Sequence, residues 1–269
     1  MTTPGSTLVL GTAFGYGIKE VWCFVESLRR FYDGEAALLV NSRSPQELFD
    51  YLRRKNIRAV YFDCSLWMVS HVQMGRYVRY GELLRESPGK YSRVLLTDVC
   101  DVAFQADPFF GLAAGELLFF LEDWRLTIEQ CPSNFRWVQG VYGSDGLTKL
   151  YNKRVSCSGT TIGTQESILH YLDTLLAHAP RELMERLAGQ KGHDQAIHNY
   201  LLHTGALPNV TAVENGEHVW TLFYVPEREI AINARGATVA ATGRLPAILH
   251  QYNFKPAIQT FMEVAYPSN

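Results

Sequence analysis

Two aspartates, Asp98 and Asp101, follow the apolar run Val94-Leu95-Leu96 and precede a turn signal at Asp107-Pro108. The run reads as a buried strand. Carboxylates at the end of such a strand are costly unless something pairs with them. A divalent cation carrying a diphosphate would do so, because carboxylate and phosphate oxygens together hold magnesium and manganese. Aspartate is also a turn former, since its side chain bonds its own backbone. Taken alone, each residue fits either role. Residues three apart on a continuous strand point to opposite faces. The metal reading therefore requires the strand to stop near Thr97 or Asp98.

Other residues could complete such a site. The run Ala247 to Pro256 is expected to end the fold with a strand that delivers His250 and a turn that presents Lys255. Asp194-Gln195 precedes an amphipathic helix over 196–202, where Asp194 suits a helix cap or first-turn acid as well as a catalytic one. Glu122, Asp123 and Trp124 end the apolar run 117–121. The segment from Arg125 to Lys153 is rich in Trp, Tyr, Asn and Gly with poor periodicity, and reads as a long, partly ordered loop. Within Ser156 to Gly163, Ser158 and Gly159 are small enough to let backbone approach a ligand. Arg76 and Arg79 share a face of a helix over 71–85; they would reach a diphosphate or pair with a surface acid such as Glu82. Thr12, Ala13 and Tyr16 lie in the loop after the first strand, where ligands bind open α/β sheets, and are expected to contact a base and ribose.

The elements that position these residues follow from periodicity. Strands are predicted at 7–11, 36–40, 59–62, 94–96, 117–121 and 156–163, with edge strands at 212–219 and 229–233. Helices are predicted with Val21, Phe24, Val25 and Leu28 inward, over 45–55 with Ser44 as cap, and over 71–85, 167–176, 181–187 and 196–202. Strand–loop–helix–strand order makes a parallel sheet with crossover helices, hence an α/β fold. Gly11, Gly15 and Gly17 do not match the dinucleotide fingerprint, and there is no phosphate loop.

Composition sets limits. The 269 residues suffice for one large domain, and 47% hydrophobic with 19% charged residues is a globular balance. A net charge of −2 gives no bulk attraction to nucleic acid or an acidic membrane. Five scattered cysteines, Cys23, Cys64, Cys100, Cys131 and Cys157, include no Cys-x-x-Cys pair and fit reduced thiols in a cytoplasmic protein. No apolar run is long enough for a transmembrane segment, and Met1 to Gly5 lacks the basic start of a signal peptide.

With these motifs in this order, the chain resembles the metal-dependent GT-A glycosyltransferases, and among them the glycogenin-like and bacterial lipopolysaccharide galactosyltransferase-like group. Leu95 to Val102 looks like that group's strand ending in an Asp-x-Asp metal motif, and Ser158 to Gly163 like its small-residue segment lining the donor sugar. His193-Asp194-Gln195 resembles its Asp-Gln near the reacting carbon. His250 to Pro256 resembles its closing His-x-x-Gly-x-x-Lys-Pro, where His binds the metal and Lys the diphosphate. The chain departs from the pattern in two places. The acids are spaced Asp-x-x-Asp around Cys100, and the last motif has Asn253 in place of Gly and Lys255 one residue early.

The resemblance implies a single GT-A (Rossmann-like) domain, with residues 1–110 as the nucleotide-binding half and 111–269 as the donor-sugar and acceptor half. It implies manganese or magnesium on Asp98, Asp101 and His250, and a nucleotide sugar, a UDP-sugar by the group's habit, held by Thr12, Ala13, Tyr16, Arg76, Arg79, Asp98, Ser158, Gly159 and Lys255. The acceptor hydroxyl would lie in a pocket formed by Glu122 to Tyr151. Retention of configuration is implied, with Asp194 and Gln195 beside the reacting carbon. An inverting enzyme would instead need Asp123, Glu122 or Asp194 as base. A glycan, lipid-linked, peptide or small-molecule acceptor is open, and a lipid-linked one would bring the protein to a membrane periphery. A nucleotidyltransferase, a non-catalytic nucleotide-sugar-binding protein and a Rossmann-type oxidoreductase are the rival readings.

Overall fold

The computed structural model describes residues 5–62, 72–234, 236–240 and 243–266. The predicted helix start at His71, and Cys64, lie outside these residues. The first half alternates strand and helix: β1 (Ser6–Thr12), α1 (Ile18–Phe31), β2 (Glu35–Val40), α2 (Gln46–Arg54), β3 (Arg58–Tyr61), α3 (Val72–Arg85) and β4 (Tyr91–Thr97). Then come β5 (Val102–Phe104), β6 (Leu117–Leu121), α4 (Pro132–Lys149), β7 (Ser156–Gly163), α5 (Gln165–Ala177), α6 (Arg181–Arg186) and α7 (His193–Thr204). The chain closes with β8 (Val210–Val213), β9 (Val219–Thr221), β10 (Ile230–Ile232), β11 (Thr238–Ala240), β12 (Ile248–His250) and α8 (Pro256–Ala265).

Seven strands form the central sheet in the order β3-β2-β1-β4-β7-β6-β8. All neighbours are parallel except β7, which runs antiparallel between β4 and β6. The apolar runs are continuous because both faces are covered. Leu8, Leu10, Leu96, Leu117 and Phe119 face a core built with α3, α4, α5 and α7. Val9, Leu95, Leu118, Phe120 and Ile162 face the other core, with α1, α2, β5, β9 and β12. Alternation along each strand sends neighbours to opposite cores. A fully buried leucine or phenylalanine contributes about 2 kcal/mol there. Three short strands make a second sheet, β5-β12-β9, with β12 antiparallel to β5 and parallel to β9.

Several expectations are corrected. The expected loop over 125–153 contains α4, which starts with Pro132 and packs against α7. Gly143, at φ 63, breaks it into two helical pieces, and the break scrambles the periodicity a sequence reader needs. Ser44 does not cap α2: Pro45 stands at that position, while the Ser44 backbone donates to Asn41 O at 2.9 Å. The expected strand over 212–219 stops at Val213, turns at Gly216 with φ 83, and resumes as β9 in the other sheet. The edge strand near 229–233 pairs with β11 as a hairpin. The fold does not end at Pro256, since α8 follows. Among the described residues, no helix is long and apolar enough to cross a membrane.

A candidate metal centre and its pocket

β4 stops at Thr97, as convergence of the two acids requires. The Asp98 amide still follows the β4–β7 register, donating to Gly159 O at 2.7 Å, and the chain then turns before β5 begins at Val102. Antiparallel pairing then sets His250 opposite Val102, beside Asp101. Asp98, Asp101 and His250 each offer one ligand atom, and these atoms lie within 4.8 Å of one another. His250 Nε2 is 3.6 Å from Asp98 Oδ2 and 3.7 Å from Asp101 Oδ2. Both distances exceed a hydrogen bond, and the buried Nε2 has no hydrogen-bond partner. The other ring nitrogen, Nδ1, lies 3.4 Å from Cys157 Sγ and 3.5 Å from Thr221 Oγ1.

Two carboxylate oxygens and an unpartnered imidazole nitrogen are a donor set for a divalent cation such as manganese or magnesium. Gly159 keeps the space open: a Cβ there would stand 2.5 Å from His250 Cε1 and 2.6 Å from Asp98 Oδ2. These residues fit the ion.

Electrostatics follow from burial and neighbours. Burial opposes ionisation of Asp98, but the Arg76 guanidinium and His250 outweigh it and hold the carboxyl well below the usual range. Burial, with the Asp98 charge adding to it, pushes Asp101 up. Burial alone would neutralise His250, yet Cys157, Asp101 and Asp98 push it well above the ordinary imidazole value. Asp98 Oδ1 pairs with Arg76 Nη1, which leaves Oδ2 facing His250. Arg76 Nη2 also donates to Asp194 Oδ2 at 2.9 Å, and Tyr77 OH donates to the same oxygen at 3.3 Å. Arg76 thus ties the end of β4 to the first turn of α7.

A cavity of about 360 Å³ opens on this cluster. Its lining includes the half-buried Arg76, Asp98 and Ser158 and the buried Glu122, Gly159, Asp194, Gln195 and His250. Gln195 braces it: Oε1 accepts from Ser158 N at 2.7 Å, and Nε2 donates to Ser156 O at 2.9 Å and Glu122 Oε1 at 3.4 Å. Burial pushes the Glu122 carboxyl up to about 7. A second cavity, of about 210 Å³, is lined by Thr12, Phe14, Tyr16, Gln73, Arg76, Asp98, Val99, Cys100 and Asp101. Asp98 and Arg76 line both. Tyr16 OH donates to Cys100 Sγ at 3.5 Å, and Thr12 Oγ1 lies 2.6 Å from Tyr80 OH.

Four expected site residues do not join this group. The Ala13 side chain is fully buried in the core, and its amide donates to Leu39 O at 2.8 Å. Arg79 pairs with Glu82 and Glu86 at 2.9 and 3.1 Å and lines neither cavity, because it sits on the face of Arg76 but nearly one turn further along α3, about 4.5 Å up the axis. Asp123 accepts from Arg125 Nε at 2.7 Å, and Arg125 continues to Glu229, so the following residue's strand-end turn takes Asp123 out of the pocket that Glu122 enters. Lys255 Nζ donates to Phe223 O at 3.1 Å and lines neither cavity.

Other pocket residues carry no motif of their own, although Asn134 and Trp137 fall in the segment expected to form the acceptor pocket, Glu122 to Tyr151. Trp137 and Asn134, three apart on α4, line the large cavity, as do Phe223, Tyr224, Gln251 and Phe254. The helical spacing of Asn134 and Trp137 was the available signal. Gln251, at φ 57, holds a left-handed conformation that side chains other than Asn and Asp adopt rarely. No protein-family model matches the chain, and no curated protein matches it either.

Proposed function

We propose that the chain is a metal-dependent glycosyltransferase of the GT-A type. It would move a sugar from a nucleotide sugar, a UDP-sugar first among them, to an acceptor hydroxyl. One observation carries the reading: the Asp98–Asp101–His250 cluster, with its unpartnered nitrogen, lies where two cavities share a wall. A seven-stranded, mostly parallel sheet is compatible with that fold. In this reading residues 1–110 handle the nucleotide, and 111–269 the sugar and acceptor.

A manganese or magnesium ion on Asp98, Asp101 and His250 would supply Lewis acidity to the departing diphosphate. The chain's own groups do the rest. Arg76 adds fixed positive charge, held in place by Asp194. Tyr16 and Thr12 line the smaller cavity for the nucleoside. Ser158 and Gly159 present backbone to the donor sugar, and Gln195 keeps that strand in place. Retention needs no protein base. Inversion is favoured as a second reading by Glu122. It lines the pocket and forms no ion pair among the described residues, whereas Asp123 and Asp194 are each held by an arginine. Glu122 would accept the proton of the attacking hydroxyl.

Calorimetry with uridine diphosphate tests the reading, with manganese and then with chelator, on wild type and Asp101→Asn. Metal-dependent binding that vanishes in the variant supports it. Metal-independent binding, or equal binding in the variant, would make Asp101 a turn residue and sink it. Product stereochemistry by NMR then separates retention from inversion, and only inversion predicts loss of turnover in Glu122→Gln.

A further inference from the structure

An imidazole can hold a cation in only one tautomer and one ring orientation, and the partner of its other nitrogen selects both. His250 ends β12 in the small sheet, whereas Asp98 and Asp101 follow β4 of the central sheet. The ring must therefore be held across the junction of the two sheets. Its Nδ1 meets two side chains. Cys157 Sγ, from β7 of the central sheet, is 3.4 Å away. Thr221 Oγ1, from the neighbouring strand β9, is 3.5 Å away.

Distance separates these two partners. Sulfur is larger than oxygen, so 3.4 Å is within reach of an N–H···S bond. An N–H···O bond spans about 2.7–3.2 Å, and Thr221 lies beyond that range. Cys157 is 4% exposed and free of any disulfide. Its strand is pinned on both sides of it. Ser156 N donates to Asn199 Oδ1 at 2.8 Å, and Ser158 N donates to Gln195 Oε1 at 2.7 Å. The sulfur thus has a fixed place against the ring.

We propose that Cys157 is a positioning residue for the metal centre: its sulfur accepts from Nδ1–H of His250, which leaves the Nε2 lone pair facing Asp98 and Asp101. The inference rests on the metal-dependent reading above. Two other arrangements would close the site. If the thiol donated to Nδ1, the neutral ring would carry its hydrogen on Nε2, where the cation belongs. If the ring turned over, Cδ2 would replace Nδ1 at the sulfur and Cε1 would replace Nε2 before the acids.

Two measurements test this without turnover. Manganese affinity is read by electron paramagnetic resonance, with uridine diphosphate present, on wild type, Cys157→Ala, Cys157→Ser and Thr221→Val. Thermal melts check that each variant folds. Cys157→Ala is expected to lower the affinity about tenfold, the low end for a group behind a ligand, because sulfur is a weak acceptor. Cys157→Ser, which restores an acceptor, should lose about threefold. Thr221→Val should stay within about twofold of wild type. The second measurement is the two-bond proton–nitrogen NMR spectrum of the imidazoles with diamagnetic magnesium and uridine diphosphate, where loss of a signal in His250→Gln identifies the ring. Wild type should carry hydrogen on Nδ1 alone, and Cys157→Ala should lose that fixed pattern while the signals of His198 stay in place. A loss of packing alone would not be rescued by serine and would not move the tautomer. Hydrogen on Nε2 in the loaded wild type, unchanged affinity in Cys157→Ala, or a greater loss in Thr221→Val would overturn the assignment. Manganese that binds wild type and Cys157→Ala alike defeats the positioning role and leaves the metal centre standing. Manganese that fails to bind wild type defeats both.

Discussion

Two buried histidines differ in everything but their burial. His198 is 0% exposed and His250 is 1% exposed. His198 lies between Ser156 Oγ at 3.0 Å and Tyr171 OH at 2.9 Å, so both ring nitrogens have partners. It stacks on Phe119 with centroids 3.9 Å apart. Burial holds it neutral, with its pKa pushed down to about 3. His250 has a partnered Nδ1, a stranded Nε2, and two carboxylates just beyond bonding distance. Burial therefore does not mark a functional histidine. An unmet bonding capacity facing a pair of carboxylates does.

The contrast breaks first at the acids. Asp101→Asn is expected to lower metal-dependent nucleotide affinity by more than about 100-fold in calorimetry, since even groups outside the ligand set cost 10–100-fold. His198→Leu should leave that affinity unchanged and instead cost about 3 kcal/mol in urea unfolding, from two lost hydrogen bonds and the lost stack. Reversed outcomes would exchange the roles of the two histidines.

Smaller effects sharpen the comparison. Gly159→Ala should weaken manganese binding about tenfold, measured by electron paramagnetic resonance, because the new Cβ displaces His250 and Asp98. Unchanged binding would mean the ligands can give way. The pH dependence of stability isolates His198. Its folded pKa of about 3 lies below the ordinary imidazole value. Between these values the unfolded chain binds a proton that the fold excludes. The contribution is therefore fully present above the unfolded pKa and falls as pH drops toward 3. Between pH 6.5 and 5 this amounts to about 1.5 kcal/mol. The His198→Gln variant, neutral throughout, should lack that slope; parallel curves for variant and wild type would remove the assignment. Smallest of all, Arg79→Ala should change stability by no more than about 0.5 kcal/mol and leave nucleotide binding intact. A large loss of binding would return Arg79 to the site.

Much of this frame was legible from residue order. The runs in β1, β2, β4, β6 and β7 read as strands because each side chain in them is apolar or small and both faces are buried. Asp98, Asp101 and His250 stood out because polar groups next to such runs need an explanation. What periodicity could not resolve was direction. It put Arg76 and Arg79 on one helix face, yet one is tied to Asp194 and the other to surface glutamates. It offered Glu122 and Asp123 as equals, yet Arg125 claims only the second. It lost α4 entirely, because the break at Gly143 divides the pattern while burial of Val138 and Val141 holds the helix together.

The sequence by itself determined much of the local order: the central-sheet strands β1 to β4, β6 and β7, and which side chains could carry metal-ligand chemistry. Apolar pattern and turn residues act over a few neighbours, and that range is enough for such choices. Tertiary structure alone decided which of those side chains meet. His250 reaches the acids only because β12 pairs antiparallel with β5, a contact between segments far apart in the chain. The cavity wall arises in the same way, where α4 and the turn after β12 bring Asn134 and Gln251 to one cavity although each keeps a buried, unpartnered oxygen. Hydrogen-bond satisfaction is a property of the packed neighbourhood, and no stretch of sequence contains it.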